Sequence, residues 1–251
     1  MMLNGKPLEG KTVLITGAAK RLGRAMALTL AEAGADVAIT FLHSAREARN
    51  TVKDLQNLGV RALAIACDVT DETSVKLAIR NTIKDLGGID ILINNAANYE
   101  TVEFEKLTLE RWDAIFATNA RGPFLVSREA LKQLRERQGK IINMGSLGGI
   151  QPWSSHAHYC SSKAALHMLT RVMAKALAPE IAVNCVAPGM IRTRVWDRQS
   201  DGLTIEDRVT QLGVPLGRAG QPEEVASVIA FLLSPLASYV SGATVPISGG
   251  F

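Results

Sequence analysis

Cysteine is scarce in this chain: Cys67, Cys160 and Cys185 are the only three among 251 residues, with no Cys-x-x-Cys and no clustering with the four histidines. That pattern excludes a disulfide framework and a thiolate metal site, and it fits reduced thiols inside a cell. Charge of one sign is nowhere concentrated. The net charge is +4 with lysine and arginine scattered, and aromatics make up 5% of the chain. A basic surface interleaved with aromatics, as a nucleic-acid partner would require, is therefore not expected. No apolar run reaches the roughly 20 residues of a membrane span, and the polar first eleven residues lack the apolar core of a signal peptide. Linkers, repeats and low-complexity tracts are missing as well. The expectation is a single domain over residues 1–251, cytoplasmic, binding a small molecule, without metal, nucleic acid or membrane.

What the chain does contain is a regular succession of short apolar runs. They lie at Thr12–Thr16, Val37–Phe41, Ala62–Ala66, Ile89–Asn94, Lys140–Asn143, Ala182–Ala187 and Thr244–Ile247. Segments of helical period separate most of them, at Gly23–Ala33, Ala45–Leu58, Ser74–Leu86, Leu109–Arg137, Ser155–Ala178 and Pro222–Leu233. Strands apolar on both faces, alternating with helices, predict an α/β fold: a doubly wound sheet of seven parallel strands covered by helices on both sides. Residues 188–222 are too long and polar for an ordinary connection, and such loops usually close over or select a ligand.

The first strand runs into Thr16-Gly17-Ala18-Ala19-Lys20-Arg21-Leu22-Gly23 and then into a helix. Gly17 permits a tight turn, Gly23 permits close helix packing, and the free N–H groups of the helix start face an anion. Lys20 and Arg21 add charge-assisted donors. The second strand ends in Thr40-Phe41-Leu42-His43-Ser44 with no carboxylate to accept from a ribose 2′-hydroxyl. This favours NADP(H) over NAD(H), with His43 and Ser44 as phosphate contacts. Asp68-Val69 meets the adenine or merely caps the next helix; both readings stand at this level.

Tyr159 and Lys163 are one helical turn apart, and Ser146 follows the fifth strand. A phenol gives up its proton poorly at neutral pH, so an ammonium on the same helix face is a physical route to a usable acid/base. His156 and His158 flank the helix start, but no carboxylate or thiol completes a ligand set, so surface or pocket-lining roles are expected. Trp153 and Trp196 are expected to border the substrate cleft.

In this order and spacing, Thr16-Gly17-x-x-x-Arg21-x-Gly23, Asp68-Val69, Asn94-Asn95-Ala96-Ala97, Asn119, Ser146, Tyr159-x-x-x-Lys163, Pro188-Gly189 and Ser241-Gly242 leading to Gly249-Gly250 resemble the short-chain dehydrogenase/reductases over nearly the whole chain. The resemblance implies a Rossmann-type domain, a nicotinamide cofactor, and a homotetramer or dimer built through the helix after Tyr159 and the C-terminal end. It also implies roles. Tyr159 is the acid/base, Lys163 lowers its pKa and holds the nicotinamide ribose, Ser146 bonds the substrate oxygen, and Asn119 supports a water relay to Lys163. Asn94, Asn95 and Ala96 line the cofactor together with Gly17, Leu22, Pro188 and Gly189, while Ile191 and Thr193 contact the carboxamide. Arg21 and Ala97, each replacing a common glycine, are similar to the pteridine-reductase-like branch. There the arginine reaches the phosphates and the substrate, and an aromatic at the position of Tyr99 stacks on a pterin. Leu42-His43 and Ser146 depart from that branch. Arg137 matches a carrier-docking position of the 3-oxoacyl-carrier-protein reductases, but the second such position is Glu180, whose charge would repel the carrier. The leading expectation is an NADP(H)-dependent reductase of small carbonyl compounds. Pteridine or dihydrofolate reduction and 3-oxoacyl-carrier-protein reduction are the alternatives, with a non-catalytic dinucleotide-binding protein far behind.

Overall fold

The computed structural model describes residues 5–193 and 202–251. Seven strands form one parallel sheet: β1 Thr12–Ile15, β2 Asp36–Phe41, β3 Ala62–Ala66, β4 Ile91–Asn94, β5 Lys140–Met144, β6 Ala182–Pro188 and β7 Thr244–Ile247, in the order β3-β2-β1-β4-β5-β6-β7. Successive residues of each strand point to opposite faces, and here both faces are apolar. Val13, Ile15, Ile91 and Ile93 join one core with helices α1 (Arg21–Glu32) and α8 (Pro222–Leu233), through Met26, Leu30, Val225 and Ile229. Leu14, Leu92 and Ile141 join the other, against α3 (Glu72–Leu86), α5 (Gly122–Glu136) and α6 (Ala157–Ala176). Helix α2 (Ala45–Asn57) completes the first layer, burying Ala48 and Leu55.

β1 pairs with β2 on one side and β4 on the other. Chain order reverses there, which opens a crevice at the carboxyl ends of the strands. Two segments depart from the sequence expectation. The helix predicted over Leu109–Arg137 is interrupted: α4 covers Leu109–Phe116, a π turn covers Ala117–Arg121, and α5 begins at Gly122. Pro123 has no N–H to return to the Asn119 carbonyl, so the α ladder cannot run through. Gly122 instead donates to the Ala117 carbonyl five residues back. The stretch 188–222 is not loop throughout, since it contains α7, Ile205–Leu212. Thr204 and Asp207 cap each other's backbone there, and Gly213 at φ 64° ends the helix. Trp196 lies outside the described residues. Among them, no helix is long and apolar enough to cross a membrane, and no group of side chains forms a metal site.

Candidate active site

The turn between β1 and α1 is built from backbone and from missing side chains. A Cβ on Gly17, whose φ is 65°, would lie 2.9 Å from the Ala96 Cα, and one on Gly23 would lie 2.6 Å from the Ala18 Cα. Neither position has room for a side chain. The turn is held from both sides. Gly17 N–H donates to Thr40 Oγ1 at 3.1 Å, while the Asn95 and Ala96 amides donate to Thr16 Oγ1 at 2.9 and 3.0 Å. The Asn95 carboxamide donates to the Thr16 and Gly17 carbonyls, at 2.8 and 3.0 Å, so this side chain holds the turn. Helix α1 starts at Arg21 with no side-chain cap and no acidic residue in its first turn, which leaves its orphan N–H groups and positive end for an anion. Arg21 sits at φ 56°, a conformation that costs a non-glycine residue about 1–2 kcal/mol. Its guanidinium and the Lys20 side chain are exposed at the turn.

His43 is exposed, and Ser44 precedes α2 without using its hydroxyl as a cap. Asp68 accepts from the Thr70 amide and hydroxyl at 2.8 and 2.7 Å, while Asp71 caps α3, so the cap expected of Asp68 belongs to its neighbour. Val69 is buried against Gly122. Across the sheet, Gly189 N–H donates to the Ile247 carbonyl at 2.9 Å and leaves no space for a Cβ beside Ser248. Buried Ile191 bridges to Gly220, with half-buried Thr193 two residues on. Half-buried Leu22 packs against the first core. Asn94 lies inside the protein rather than on the crevice wall. Its amide donates to Ser127 Oγ and Asn143 Oδ1, and Asn143 donates to Thr170 Oγ1. This buried chain was not visible in the sequence, because pairing of side chains across strands leaves no local pattern.

The second part of the site gathers four residues from three elements. Ser146 follows β5, Asn119 stands in the π turn, and Tyr159 and Lys163 share one face of α6. Ser146, Asn119 and Lys163 are all buried. Lys163 Nζ donates to the Met144 carbonyl at 2.7 Å and lies 5.8 Å from the centre of the Tyr159 ring. Burial pulls the Lys163 ammonium down to about 8. The Tyr159 phenol is pushed up to about 12, chiefly by burial, against a hydrogen bond from Ser146 that lowers it. The shift is thus opposite to the depression by Lys163 expected from the sequence: desolvation dominates, and the lowering contribution comes from Ser146. At neutral pH the phenol carries its proton and is a donor. Asn119 accepts from the Asn98 amide at 2.8 Å, and donates to the Asn98 carbonyl at 2.9 Å and Ser162 Oγ at 3.1 Å; Ser162 donates to the Tyr159 carbonyl at 2.7 Å. Asn119 therefore ties the loop after β4 to α6. Asn98 and Ser162 were not singled out in the sequence and carry no signal there.

Two rings border the phenol. Tyr99 meets Tyr159 edge-on with centroids 4.9 Å apart, and Trp153 lies parallel to it at 6.1 Å. His156 stacks on Tyr99 and bonds its hydroxyl at 2.7 Å and Thr101 Oγ1 at 3.0 Å. His156 thus stays partly exposed beside Tyr99. His158 does not. It is fully buried, with Nε2 3.5 Å from a Glu100 carboxylate oxygen, because its place on α6 turns it away from the cleft. Arg137 is not a free surface cation either: it donates to Asp90 at 3.1 Å and to the Gly87 carbonyl at 2.6 Å. Glu180 is exposed.

Comparison with known proteins agrees with this arrangement. A family model described as enoyl-(acyl carrier protein) reductase matches residues 17–251. The chain is 37% identical over 242 residues to the 3-oxoacyl-[acyl-carrier-protein] reductase FabG of Staphylococcus aureus, covering 96% of this chain and 97% of that protein. It superposes on a dehydrogenase/reductase from Sinorhizobium meliloti with a TM-score of 0.92 and 36% identity, over 99% and 98% of the two chains. A short-chain dehydrogenase from Burkholderia cenocepacia, solved in complex with NADP, gives a TM-score of 0.90 and 34% identity over 97% and 98%.

Proposed function

The chain belongs to the short-chain dehydrogenase/reductase family, and from that premise we propose that it is an NADP(H)-dependent reductase of small carbonyl compounds, with Tyr159 as its acid/base. The observation that carries this reading is the convergence of Ser146, Tyr159 and Lys163 at the carboxyl end of the sheet, with the phenol protonated and bonded to Ser146. The residues present suit the cofactor: an uncapped helix start, a turn without side chains, Lys20 and Arg21 beside it, and no carboxylate after β2. When bound, the reduced nicotinamide supplies the hydride. Tyr159 gives its proton to the substrate oxygen, and Ser146 Oγ–H donates to that oxygen as its charge grows. Lys163 would offset the charge left on the phenolate and, with Gly189, Ile191 and Thr193, would hold the nicotinamide end of the cofactor. The loop 188–222 is the substrate-selecting segment.

The rings of Tyr99, Trp153 and His156 gather aromatic surface beside Tyr159, which supports pteridine-like heterocycles as a second substrate class. The relative named as a 3-oxoacyl-carrier-protein reductase supports acyl thioesters as a third. Against a carrier stand the exposed Glu180 and an Arg137 already committed to Asp90. A homo-oligomer, tetramer or dimer, is supported by apolar side chains exposed on α6 and near the C-terminal end: Met168, Val172, Leu236 and Tyr239. Consumption of NADPH and of NADH should be followed with ketones, diketones, dihydropterins and an acetoacetyl carrier protein. Turnover of a free carbonyl with NADPH preferred supports the proposal. Equal use of both cofactors would refute the reading of Lys20, Arg21 and Ser44, and turnover of the carrier-bound substrate alone would refute the substrate class.

A further inference from the structure

Helix α6 presents more than an acid/base and its ammonium. Tyr159, Lys163 and His167 follow each other at intervals of four, so the histidine continues the same helix face one turn beyond the lysine. We infer that His167 is a positioning residue that holds the backbone of Ser146, and through it the Ser146 hydroxyl, in the geometry the reaction uses.

Ser146 N–H donates to His167 Nε2 at 3.4 Å. Ser146 and His167 are both buried, and a buried amide without an acceptor is costly. The ring is wedged against the residues on both sides of the serine. A Cβ on Gly145 would collide with Nε2, and one on Gly149 would lie 2.6 Å from Cε1. With its amide held, Ser146 adopts an extended backbone at φ −166° and ψ 153°, and its Oγ accepts from Gly148 N–H at 3.1 Å. The hydroxyl hydrogen is then free to point at the phenol and the substrate oxygen.

An acceptor Nε2 requires the ring to be neutral with its proton on Nδ1. The groups near it are Lys163 and Arg171, one turn to either side on the same helix, and Cys185 of β6 beside Gly145; Arg171 and His167 both line a cavity of about 360 Å³. Burial first, and then the Lys163 charge, hold the imidazole below its ordinary value, against a Gly149 backbone contact that raises it. The ring is neutral at neutral pH. Acid protonates it, converts the acceptor into a donor and breaks the bond to Ser146.

His167→Leu removes the acceptor at similar size, while His167→Gln restores an acceptor oxygen. Amide hydrogen exchange at Ser146, followed by NMR in the cofactor-free protein at pH 7.5, should accelerate about tenfold in His167→Leu and stay near the parent rate in His167→Gln. This readout does not depend on the proposed function. The kinetic arm rests on it: kcat should fall about tenfold in His167→Leu with the NADPH dissociation constant unchanged, and recover in His167→Gln. Ser146 exchange unchanged in His167→Leu overturns the inference. An exchange response without turnover of any carbonyl by the parent overturns the functional reading alone. If His167→Leu does not fold, the parent decides the matter. The Ser146 amide shift should titrate together with the His167 ring, and independent titration refutes the coupling.

Discussion

At the Gly17–Gly23 turn side chains are left out, whereas at Ser146, Tyr159 and Lys163 they are packed in, with Ser146 and Lys163 buried and Tyr159 half-buried. The first region works through backbone N–H groups and a helix end, with Thr16, Thr40 and Asn95 as internal ties. The second works through desolvation, which pushes the Tyr159 phenol up to about 12 and pulls the Lys163 ammonium down to about 8. Damage should differ accordingly. Changes at the turn should cost cofactor affinity and spare the chemical step, and changes at the trio should do the reverse.

The largest separation is expected from Ser146→Ala. Losing one donor to a developing oxyanion costs about 10²–10³ in kcat, and rapid-mixing kinetics should show that loss with NADPH binding unchanged. Weaker binding together with full kcat would erase the contrast. Gly23→Ala is the converse. Its new Cβ would press on the Ala18 backbone, so NADPH affinity by fluorescence titration should fall about 10–100-fold, with kcat at saturating cofactor within a few-fold of the parent. The smallest effect is one of pH. Below about 8 Lys163 is charged and offsets the phenolate; above it the ammonium loses its proton while the phenol keeps its own. The rate of carbonyl reduction should therefore decline by about tenfold per unit as pH rises past about 8, and a limb that survives in Lys163→Met would assign it to another group.

The same contrast explains what the sequence disclosed. Glycines and strand periods are local signals, so the turn and the seven strands were legible, as were Ser146, Tyr159 and Lys163 by spacing. The π turn was signalled by Pro123 inside a helical pattern, and α7 by Thr204, Asp207 and Gly213, but both signals sit in segments whose overall composition points elsewhere. Burial is not local. The direction of the Tyr159 shift, the inward turn of His158 and the contact between Ser146 and His167 depend on which elements pack together, and no single run of residues encodes that.

In the proposed reaction Tyr159 supplies the proton for hydride transfer and contributes little to cofactor affinity, while the turn would hold the cofactor's phosphates. Tyr159→Phe tests it with one comparison, of single-turnover reduction and NADPH affinity in the same preparation. Turnover should fall by about 10²–10⁴ with the NADPH dissociation constant within about twofold of the parent. Reduction at the parent rate in Tyr159→Phe would contradict it.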